Sequence, residues 1–229
     1  MSRLLLAPSI LTADFGRLRE EIQSIASLVD WFHLDVMDGH YVSNITFGPA
    51  VVASIRQACD TPLHVHLMIS EPARYAQAFA DAGAARISFH PEVVDAPAQV
   101  IDAIRTQGVG AGIAVHPDVP LSVVEPHIGR LEVVLVMTVR PGFGGQRFMS
   151  EVVPKIAAAR SLVRGARAEV DVEVDGGVNL QTVDEVVGAG ASIIVAGSAI
   201  YDGLNAPAAA TRLRNRLDEL AGAPPAEAD

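Results

Sequence analysis

Residues 170–177 read Val-Asp-Val-Glu-Val-Asp-Gly-Gly, and this stretch decides the fold. Its valines alternate with acids, which is the two-residue period of a β-strand. When helices cover the outside of a sheet, the apolar face of each strand must be the outer one. Asp171, Glu173 and Asp175 are therefore expected to point into a barrel, with Asp175 nearest its mouth.

The same organisation extends along the whole chain, because short apolar runs alternate with amphipathic stretches of about a dozen residues. Strands are predicted at 4–9, 31–37, 63–69, 85–90, 110–116, 132–139, 169–175 and 192–196. Helices are predicted at 14–28, 49–58, 72–82, 97–107, 120–126, 149–164, 180–188 and 205–221. Eight such pairs in 229 residues favour a single (β/α)8 TIM barrel, although periodicity leaves a doubly wound sheet open.

One barrel domain at 1–221 is predicted, and the tail at 222–229, which has no periodicity, is expected to be frayed. Pro49 and Pro72 suit the first turns of helices, where a missing N–H is tolerated. Asp14 and Asn179 are expected to cap two other helices. No linker between domains is visible.

The chain carries 17 Lys and Arg residues against 27 Asp and Glu residues, a formal charge of −10. Such a surface repels nucleic acid and anionic membranes, and no stretch is apolar enough to span a bilayer. Pro8 and Asp14 interrupt the first apolar run before it could form a signal peptide. With Cys59 as the only cysteine, no intramolecular disulfide can form, so a cytoplasmic location is expected.

Polar side chains gather at the ends of three predicted strands, where a barrel carries its chemistry. The strand period places together His33, Asp35 and Met37 on the second strand, and His64, His66 and Met68 on the third. With Asp175, two histidines and two aspartates can converge at one end of the barrel. This mixed N/O set suits Zn²⁺, Mn²⁺ or Fe²⁺ better than Ca²⁺ or Mg²⁺. A lone histidine such as His64 is more often a hydrogen-bonded core residue.

Glycine-rich loops follow the last three predicted strands, at residues 140–146, 176–179 and 197–198. Glycines let backbone N–H groups converge on an anion, and TIM barrels often bind phosphate after strands 7 and 8. The sequence therefore predicts a phosphate site at the mouth of an otherwise acidic protein.

Several segments resemble one family over almost the whole chain. They are Leu6-Ala7-Pro8-Ser9-Ile10-Leu11, His33 to Gly39, Asn44-Ile45-Thr46-Phe47-Gly48-Pro49, His66-Leu67-Met68, Phe89-His90-Pro91-Glu92, residues 141–146 and 174–179, and Ala196-Gly197-Ser198-Ala199-Ile200. On these segments the sequence is similar to the ribulose-phosphate 3-epimerase family of the pentose-phosphate pathway. The resemblance implies a ribulose-phosphate-binding TIM barrel that inverts C3 of D-ribulose 5-phosphate to give D-xylulose 5-phosphate.

The resemblance also implies roles for the residues at the matching positions. It makes His33, Asp35, His66 and Asp175 the ligands of one divalent ion: Zn²⁺, Mn²⁺ or Fe²⁺, with Co²⁺ as a further option. Asp35 and Asp175 become the acid–base residues, one on each face of the substrate. The residues implied to contact sugar or phosphate are Ser9, His66, Gly142, Phe143, Gly144, Gly145, Asp175, Gly176, Gly177, Gly197 and Ser198. Those implied to line the enediolate are Met37, Met68 and Met137, for which ordinary core packing is the alternative.

The implied chemistry suits these residue types. Epimerisation beside a ketone removes the C3 proton and returns one to the opposite face through an enediolate, so two bases suffice. A divalent ion stabilises the charge that develops, without a redox cofactor. His64 and Glu173 each lie two residues below an implied ligand. Our hypothesis is that they form a polar layer beneath the ion, with water as an optional bridge, and that this layer holds Asp175.

Three departures from the family pattern lie near the predicted mouth. Arg140 stands where Asn or Glu is expected, Val42-Ser43-Asn44 lacks a proline, and His116 replaces an asparagine. Arg140, Ser43 and His116 could thus alter the preference between five- and six-carbon ketose phosphates, and D-allulose 6-phosphate is the alternative substrate.

Other functions remain as alternatives. A phosphosugar lyase or decarboxylase is disfavoured, because the second strand lacks the lysine of the Asp-x-Lys-x-x-Asp arrangement and Lys155 falls in a predicted helix. A non-catalytic phosphate-binding barrel would not need a base on each face. The resemblance also implies a homo-oligomer.

Overall fold

A computed structural model describes residues 4–222 as eight parallel strands in one sheet. The strands are β1 (Leu5–Pro8), β2 (Phe32–Met37), β3 (Leu63–Met68), β4 (Arg86–Phe89), β5 (Gly110–Val115), β6 (Val133–Met137), β7 (Asp171–Asp175) and β8 (Ile193–Ala196). Each strand from β2 to β7 pairs with the next one along the sequence, and β8 also pairs with β1. A parallel bridge between Ser9 and His33 brings β1 to β2. The predicted (β/α)8 barrel is confirmed.

Seven α-helices cover the strands within residues 4–222. They are α1 (Leu18–Ile25), α2 (Pro49–Arg56), α3 (Pro72–Asp81), α4 (Pro97–Arg105), α5 (Val153–Gly165), α6 (Val183–Gly188) and α7 (Ala206–Gly222). Pro49 and Pro72 open their helices as predicted. Asp14 instead caps a 3-10 turn before α1, and Asn179 accepts from the Gln181 N–H in a turn before α6, whose cap position is Thr182.

The helix predicted at 120–126 is wrong in type. The chain there forms two 3-10 helices, Leu121–Val123 and Glu125–Arg130. Pro126 is the last residue of the predicted helix. It has no N–H to donate, and in an α-helix its ring would clash with the carbonyl one turn earlier, so the last turn cannot be α-helical. The connection between β5 and β6 consequently carries two 3-10 helices in place of an α-helix.

The two faces of β7 divide as the valine and acid alternation predicts. Val172 and Val174 are fully buried in the apolar layer between sheet and helices. Glu173 is fully buried too, but it contacts histidines of β2 and β3 inside the barrel. The register aligns Asp35 with His66 on the neighbouring strand, so these side chains share one interior layer.

An ion pair and an aromatic ring lie at the amino ends of the strands. Arg86 begins β4 and donates to Asp171 of β7 at 3.1 Å, while its guanidinium lies 4.6 Å from the centre of the Trp31 ring. These contacts lie at the amino ends of the strands, opposite the carboxyl ends where TIM barrels carry their active sites.

Within the described residues, no helix is long and apolar enough to cross a membrane. Of the predicted tail at 222–229, Gly222 belongs to α7, and residues 223–229 lie outside the described part of the chain.

Candidate active site and metal centre

Four side chains meet at the carboxyl ends of the strands: His33 and Asp35 from β2, His66 from β3 and Asp175 from β7. One ligand atom of each lies within 4.8 Å of the other three. Asp35 Oδ1 is 3.3 Å from His33 Nε2 and 3.0 Å from His66 Nδ1, and Asp175 Oδ2 is 3.8 Å from His33 Nε2. A tetrahedral ion with bonds of about 2.0–2.2 Å separates its ligands by about 3.3–3.6 Å. The four residues therefore fit one small divalent cation.

The electrostatics of the cluster favour positive charge between the two carboxyls. Burial, and then the charge of Asp35, raise the pKa of Asp175 to about 7. Burial also acts to raise the pKa of Asp35, but the charge and hydrogen bond of His33 bring it far below its usual range. Burial opposes protonation of His33, yet the carboxylates of Asp35, Glu173 and Asp175 raise its pKa well above the ordinary value.

A second polar layer lies directly beneath the cluster. Glu173 accepts hydrogen bonds from His33 Nδ1 at 2.9 Å and from His64 Nδ1 at 3.0 Å. His64 Nε2 in turn lies 2.7 Å from the Ser88 hydroxyl. Both His64 and Glu173 thus point into the barrel, as our hypothesis requires. The contacts are direct rather than through water, however, and they hold His33 instead of Asp175.

A further set of contacts lies on the outer side of His66. His66 Nε2 is 2.9 Å from His90 Nε2, and His90 Nδ1 is 3.1 Å from Glu92 Oε1. The Tyr41 hydroxyl donates to the same Glu92 oxygen at 2.7 Å. His90 and Glu92 belong to the segment that follows β4, and sequence reasoning gave them no role. Their position just after a strand was the signal that could have found them.

A cavity lies above the cluster. Its lining includes these predicted site residues: Ser9, Asp35, Met37, Met68, Met137, Gly142, Phe143, Gly144, Gly145, Asp175, Gly176, Gly177, Gly197 and Ser198. His33 and His66 are fully buried beneath it. The lining also contains Arg140, Pro141, Gln146 and Val178, which belong to the glycine-rich loops noted in the sequence. Leu11, Thr12 and Val139 complete it, and sequence reasoning assigned these three no role.

The Ser9 hydroxyl is directed at the cluster. It donates to Asp35 Oδ2 at 2.5 Å, while Asp35 Oδ1 faces the two histidines. Ser9 therefore orients a candidate ligand in addition to lining the cavity.

The loop after β7 brings its backbone close to the loop after β6. Gly177 has φ +67°, and a Cβ added there would lie 2.5 Å from the backbone nitrogen of Phe148. Only glycine permits this approach. The glycine loops at 142–145, 176–177 and 197–198 consequently surround one end of the cavity.

Two of the three residues that depart from the family pattern, Arg140 and His116, form hydrogen bonds with Asp118. Arg140 donates to both carboxylate oxygens of Asp118, at 2.6 and 3.3 Å. His116 Nδ1 accepts from the backbone N–H of Asp118 at 3.0 Å. Ser43 is exposed beside them. The charge of Arg140 is thus matched by Asp118 at the edge of the cavity.

Fold and site together define a TIM-barrel protein with a candidate metal centre beneath a glycine-lined cavity. Residues 5–201 match the ribulose-phosphate 3 epimerase family. The chain belongs to this family, and it is an enzyme that acts on carbohydrates.

Curated relatives named ribulose-phosphate 3-epimerase match most of the chain. The Mycobacterium leprae protein is 45% identical over 212 residues, which cover 93% of this chain and 94% of the relative. The Bacillus subtilis protein is 48% identical over 197 residues, covering 85% and 91%. The Escherichia coli K12 protein is 42% identical over 204 residues, covering 88% and 91%.

Solved structures of other proteins share the fold. KGPDC from Streptococcus mutans matches with a TM-score of 0.74 at 15% identity, covering 96% of this chain and 100% of that one. Orotidine 5'-phosphate decarboxylase from Pyrococcus horikoshii matches with a TM-score of 0.66 at 15% identity, covering 96% and 100%. At these identities the likeness concerns the barrel alone.

Proposed function

We propose that this protein is a metal-dependent epimerase that inverts C3 of D-ribulose 5-phosphate to give D-xylulose 5-phosphate. One observation carries the proposal: in a member of the ribulose-phosphate 3-epimerase family, Asp35 and Asp175 reach one cluster from different strands of the barrel. Both line the cavity above. Two carboxyl groups so placed can serve the two faces of a single carbon.

The proposed metal ligands are His33, Asp35, His66 and Asp175, and the ion is Zn²⁺, Mn²⁺, Fe²⁺ or Co²⁺. The separations of their ligand atoms and their N/O composition support this assignment. When bound, such an ion supplies positive charge that stabilises the oxygen anion developing beside C3.

In the proposed reaction one aspartate removes the C3 proton and the other delivers a proton to the opposite face. Asp35 lies on β2 and Asp175 on β7, so the two carboxyls can exchange roles when the reaction reverses. Ser9 keeps Asp35 in position through its hydroxyl. Met37, Met68 and Met137 line the cavity near these carboxyls and give the planar enediolate an apolar, polarizable surface.

Backbone amides of the glycine loops are the proposed phosphate site, with Gly142, Gly144, Gly177, Gly197 and Ser198 as contacts. Their support is that all of them line the cavity that Asp35 and Asp175 also line. A pocket of this kind explains how a chain of charge −10 binds a phosphate anion.

The test is an assay of epimerisation and of solvent deuterium incorporation at C3, with metal content measured in the same sample. We expect turnover of D-ribulose 5-phosphate to exceed that of D-allulose 6-phosphate. Asp175→Asn should lower kcat at least ~100-fold. Near-normal turnover by Asp175→Asn, or full activity in verified metal-free protein, would contradict the mechanism.

The two aspartates should differ in one respect. Asp35 accepts from Ser9 and contacts both histidines at 3.0–3.3 Å, whereas Asp175 lies 3.8 and 4.0 Å from the same two rings. Asp35→Asn should therefore disturb the cluster and weaken metal binding more than Asp175→Asn does. Equal metal affinities with equal activity losses would show that Asp35 has no organising role.

A Schiff-base aldolase is not favoured. Lys155 is the only lysine of the chain, and its Nζ donates to the carbonyl oxygens of His116, Pro117 and Val119 at 3.1, 2.6 and 2.8 Å. A protonated amine that donates to three carbonyl oxygens has no free lone pair with which to attack a substrate carbonyl. The barrel decarboxylase alternative has no lysine on β2.

We further propose that the enzyme serves the pentose-phosphate pathway, resides in the cytoplasm and forms a homo-oligomer as one barrel domain at 1–221. Its single cysteine and acidic surface support the location. Size-exclusion chromatography with light scattering tests the oligomer.

A further inference from the structure

The contacts outside His66 form one continuous chain that leads away from the candidate metal centre. It runs from His66 through His90 and Glu92 to Tyr41, over distances of 2.9, 3.1 and 2.7 Å. His66 and His90 are fully buried, and Tyr41 is half-buried at the rim. This series of contacts therefore connects the floor of the site with its outer edge.

The Glu92 carboxylate determines which atom is the donor in each of these hydrogen bonds. The Glu92 carboxylate accepts from Tyr41, and an unprotonated carboxylate offers His90 Nδ1 only an acceptor. A neutral His90 then carries its proton on Nδ1 and has a lone pair on Nε2. The facing atom, His66 Nε2, must be the donor. His66 Nδ1 is left without a proton, 3.0 Å from Asp35 Oδ1.

A nitrogen lone pair and a carboxylate oxygen at that distance repel each other unless a cation lies between them. These hydrogen bonds thus leave His66 with its proton on Nε2 and a free lone pair on Nδ1, which is the tautomer that a metal ligand requires. Ring packing holds the same arrangement, because the centroids of His90 and His66 are 5.1 Å apart and those of His90 and Tyr41 are 4.8 Å apart.

We propose that His90, Glu92 and Tyr41 are positioning residues that fix the tautomer and orientation of His66 and so raise the affinity of the site for a divalent cation. This inference rests on the metal centre of the proposed function. It adds a role for three residues that need not touch the substrate.

The test compares the affinity for Zn²⁺ and Co²⁺, measured by competition with a chromophoric chelator, among matched variants. His90→Phe keeps the ring but removes both nitrogens, and we expect its affinity to fall ~10–100-fold. His90→Gln retains one acceptor and one donor, so it should recover most of that loss. Glu92→Gln and Tyr41→Phe should weaken binding less, by about 3–10-fold, because they lie further from the ion than His90 does.

Two further readouts separate positioning from general damage. The absorption spectrum of the Co²⁺ form should change in His90→Phe, because the orientation of a ligand changes. His127→Phe makes the same substitution in the outer 3-10 helix Glu125–Arg130 and should leave affinity and spectrum unchanged. If His90→Phe does not fold, Glu92→Gln and Tyr41→Phe decide the question by their affinities.

The outcomes distinguish this inference from the proposed function. Wild-type protein that binds metal and epimerises its substrate, with unaltered affinity in the folded variants, overturns the inference alone. Wild-type protein that binds metal without epimerase activity, while the variants bind weakly, supports the inference and overturns the proposed function. Wild-type protein that binds neither ion overturns both.

Discussion

Glu173 lies beneath the candidate metal centre and accepts a hydrogen bond from His33 Nδ1 at 2.9 Å. This contact leaves His33 Nε2 directed at Asp35 and Asp175. Both Glu173 and His33 are fully buried, so neither can exchange its partner for water.

Replacing Glu173 should therefore weaken the metal site. In Glu173→Leu the His33 N–H and the His64 N–H lose their shared acceptor, and the affinity for Zn²⁺ should fall ~10–100-fold. Glu173→Gln keeps one carbonyl acceptor and should lose less. Chelator competition measures both.

Ser88→Ala is the matched control at the far end of the same layer. Its hydroxyl bonds His64 rather than His33, so we expect a loss of about 1 kcal/mol in the free energy of unfolding and little change in metal affinity. Equal affinities in Glu173→Leu and wild type would remove the support role of Glu173.

Gly197→Ala should impair substrate binding without straining the backbone. Its added Cβ would lie 3.1 Å from Thr12 Oγ1 and 3.7 Å from Ser9 Cβ, inside the cavity lining. We expect KM to rise by about tenfold, with a smaller change in kcat, because the phosphate loses close access to the backbone. Steady-state kinetics on D-ribulose 5-phosphate give both constants.

Gly129→Ala serves as the control for Gly197→Ala, because a Cβ there has nothing within 4 Å and the residue lies in a 3-10 helix. Its KM should equal that of the wild type. A normal KM in Gly197→Ala would place the phosphate elsewhere.

The barrel and the inward acids followed from sequence because strand periodicity is local. The alternation of Val172, Glu173 and Val174 is enough to assign faces. The partner of Glu173 was not predictable in the same way, since β7 and β2 are not adjacent and meet only across the interior of the barrel.

The series of contacts from His66 to Tyr41 could not be predicted from the sequence for a similar reason. His90 and Glu92 follow β4, while Tyr41 comes from the loop after β2. Their meeting depends on how two loops fold over the mouth, which no periodicity encodes. The helix predicted at 120–126 fails on a local feature, because Pro126 lacks the N–H that the last α-helical turn requires.

Lys155→Met should lower stability while leaving the catalytic site intact. The Lys155 Nζ donates to three carbonyl oxygens of the segment after β5, and a methionine leaves them without that donor. We expect the free energy of unfolding to fall by about 1–3 kcal/mol, as measured by urea denaturation. Metal affinity should not change, and a loss of metal binding larger than the loss of stability would contradict this structural role.

Asp38 should make a pH-dependent contribution to stability. Its carboxylate accepts from the Ser70 N–H and hydroxyl at 2.8 and 2.7 Å, and from the backbone N–H groups of His40 and Tyr41 at 2.8 and 3.0 Å. Burial acts to raise the pKa of Asp38, but these hydrogen bonds outweigh it and lower the pKa to about 2.

A folded-state pKa below the unfolded value of about 3.9 means that the ionised carboxylate stabilises the fold at higher pH. Its contribution is complete above about pH 5 and declines as pH falls from about 4 through 2. Asp38→Asn should therefore cost about 1–2 kcal/mol of unfolding free energy at pH 7, and the cost should shrink below about pH 4. Urea denaturation at several pH values between neutral and about 3 measures this, with Asp95→Asn as the matched loss of an exposed loop charge. A cost that stays constant over that range would mean that the amide, rather than the lost charge, causes the destabilisation.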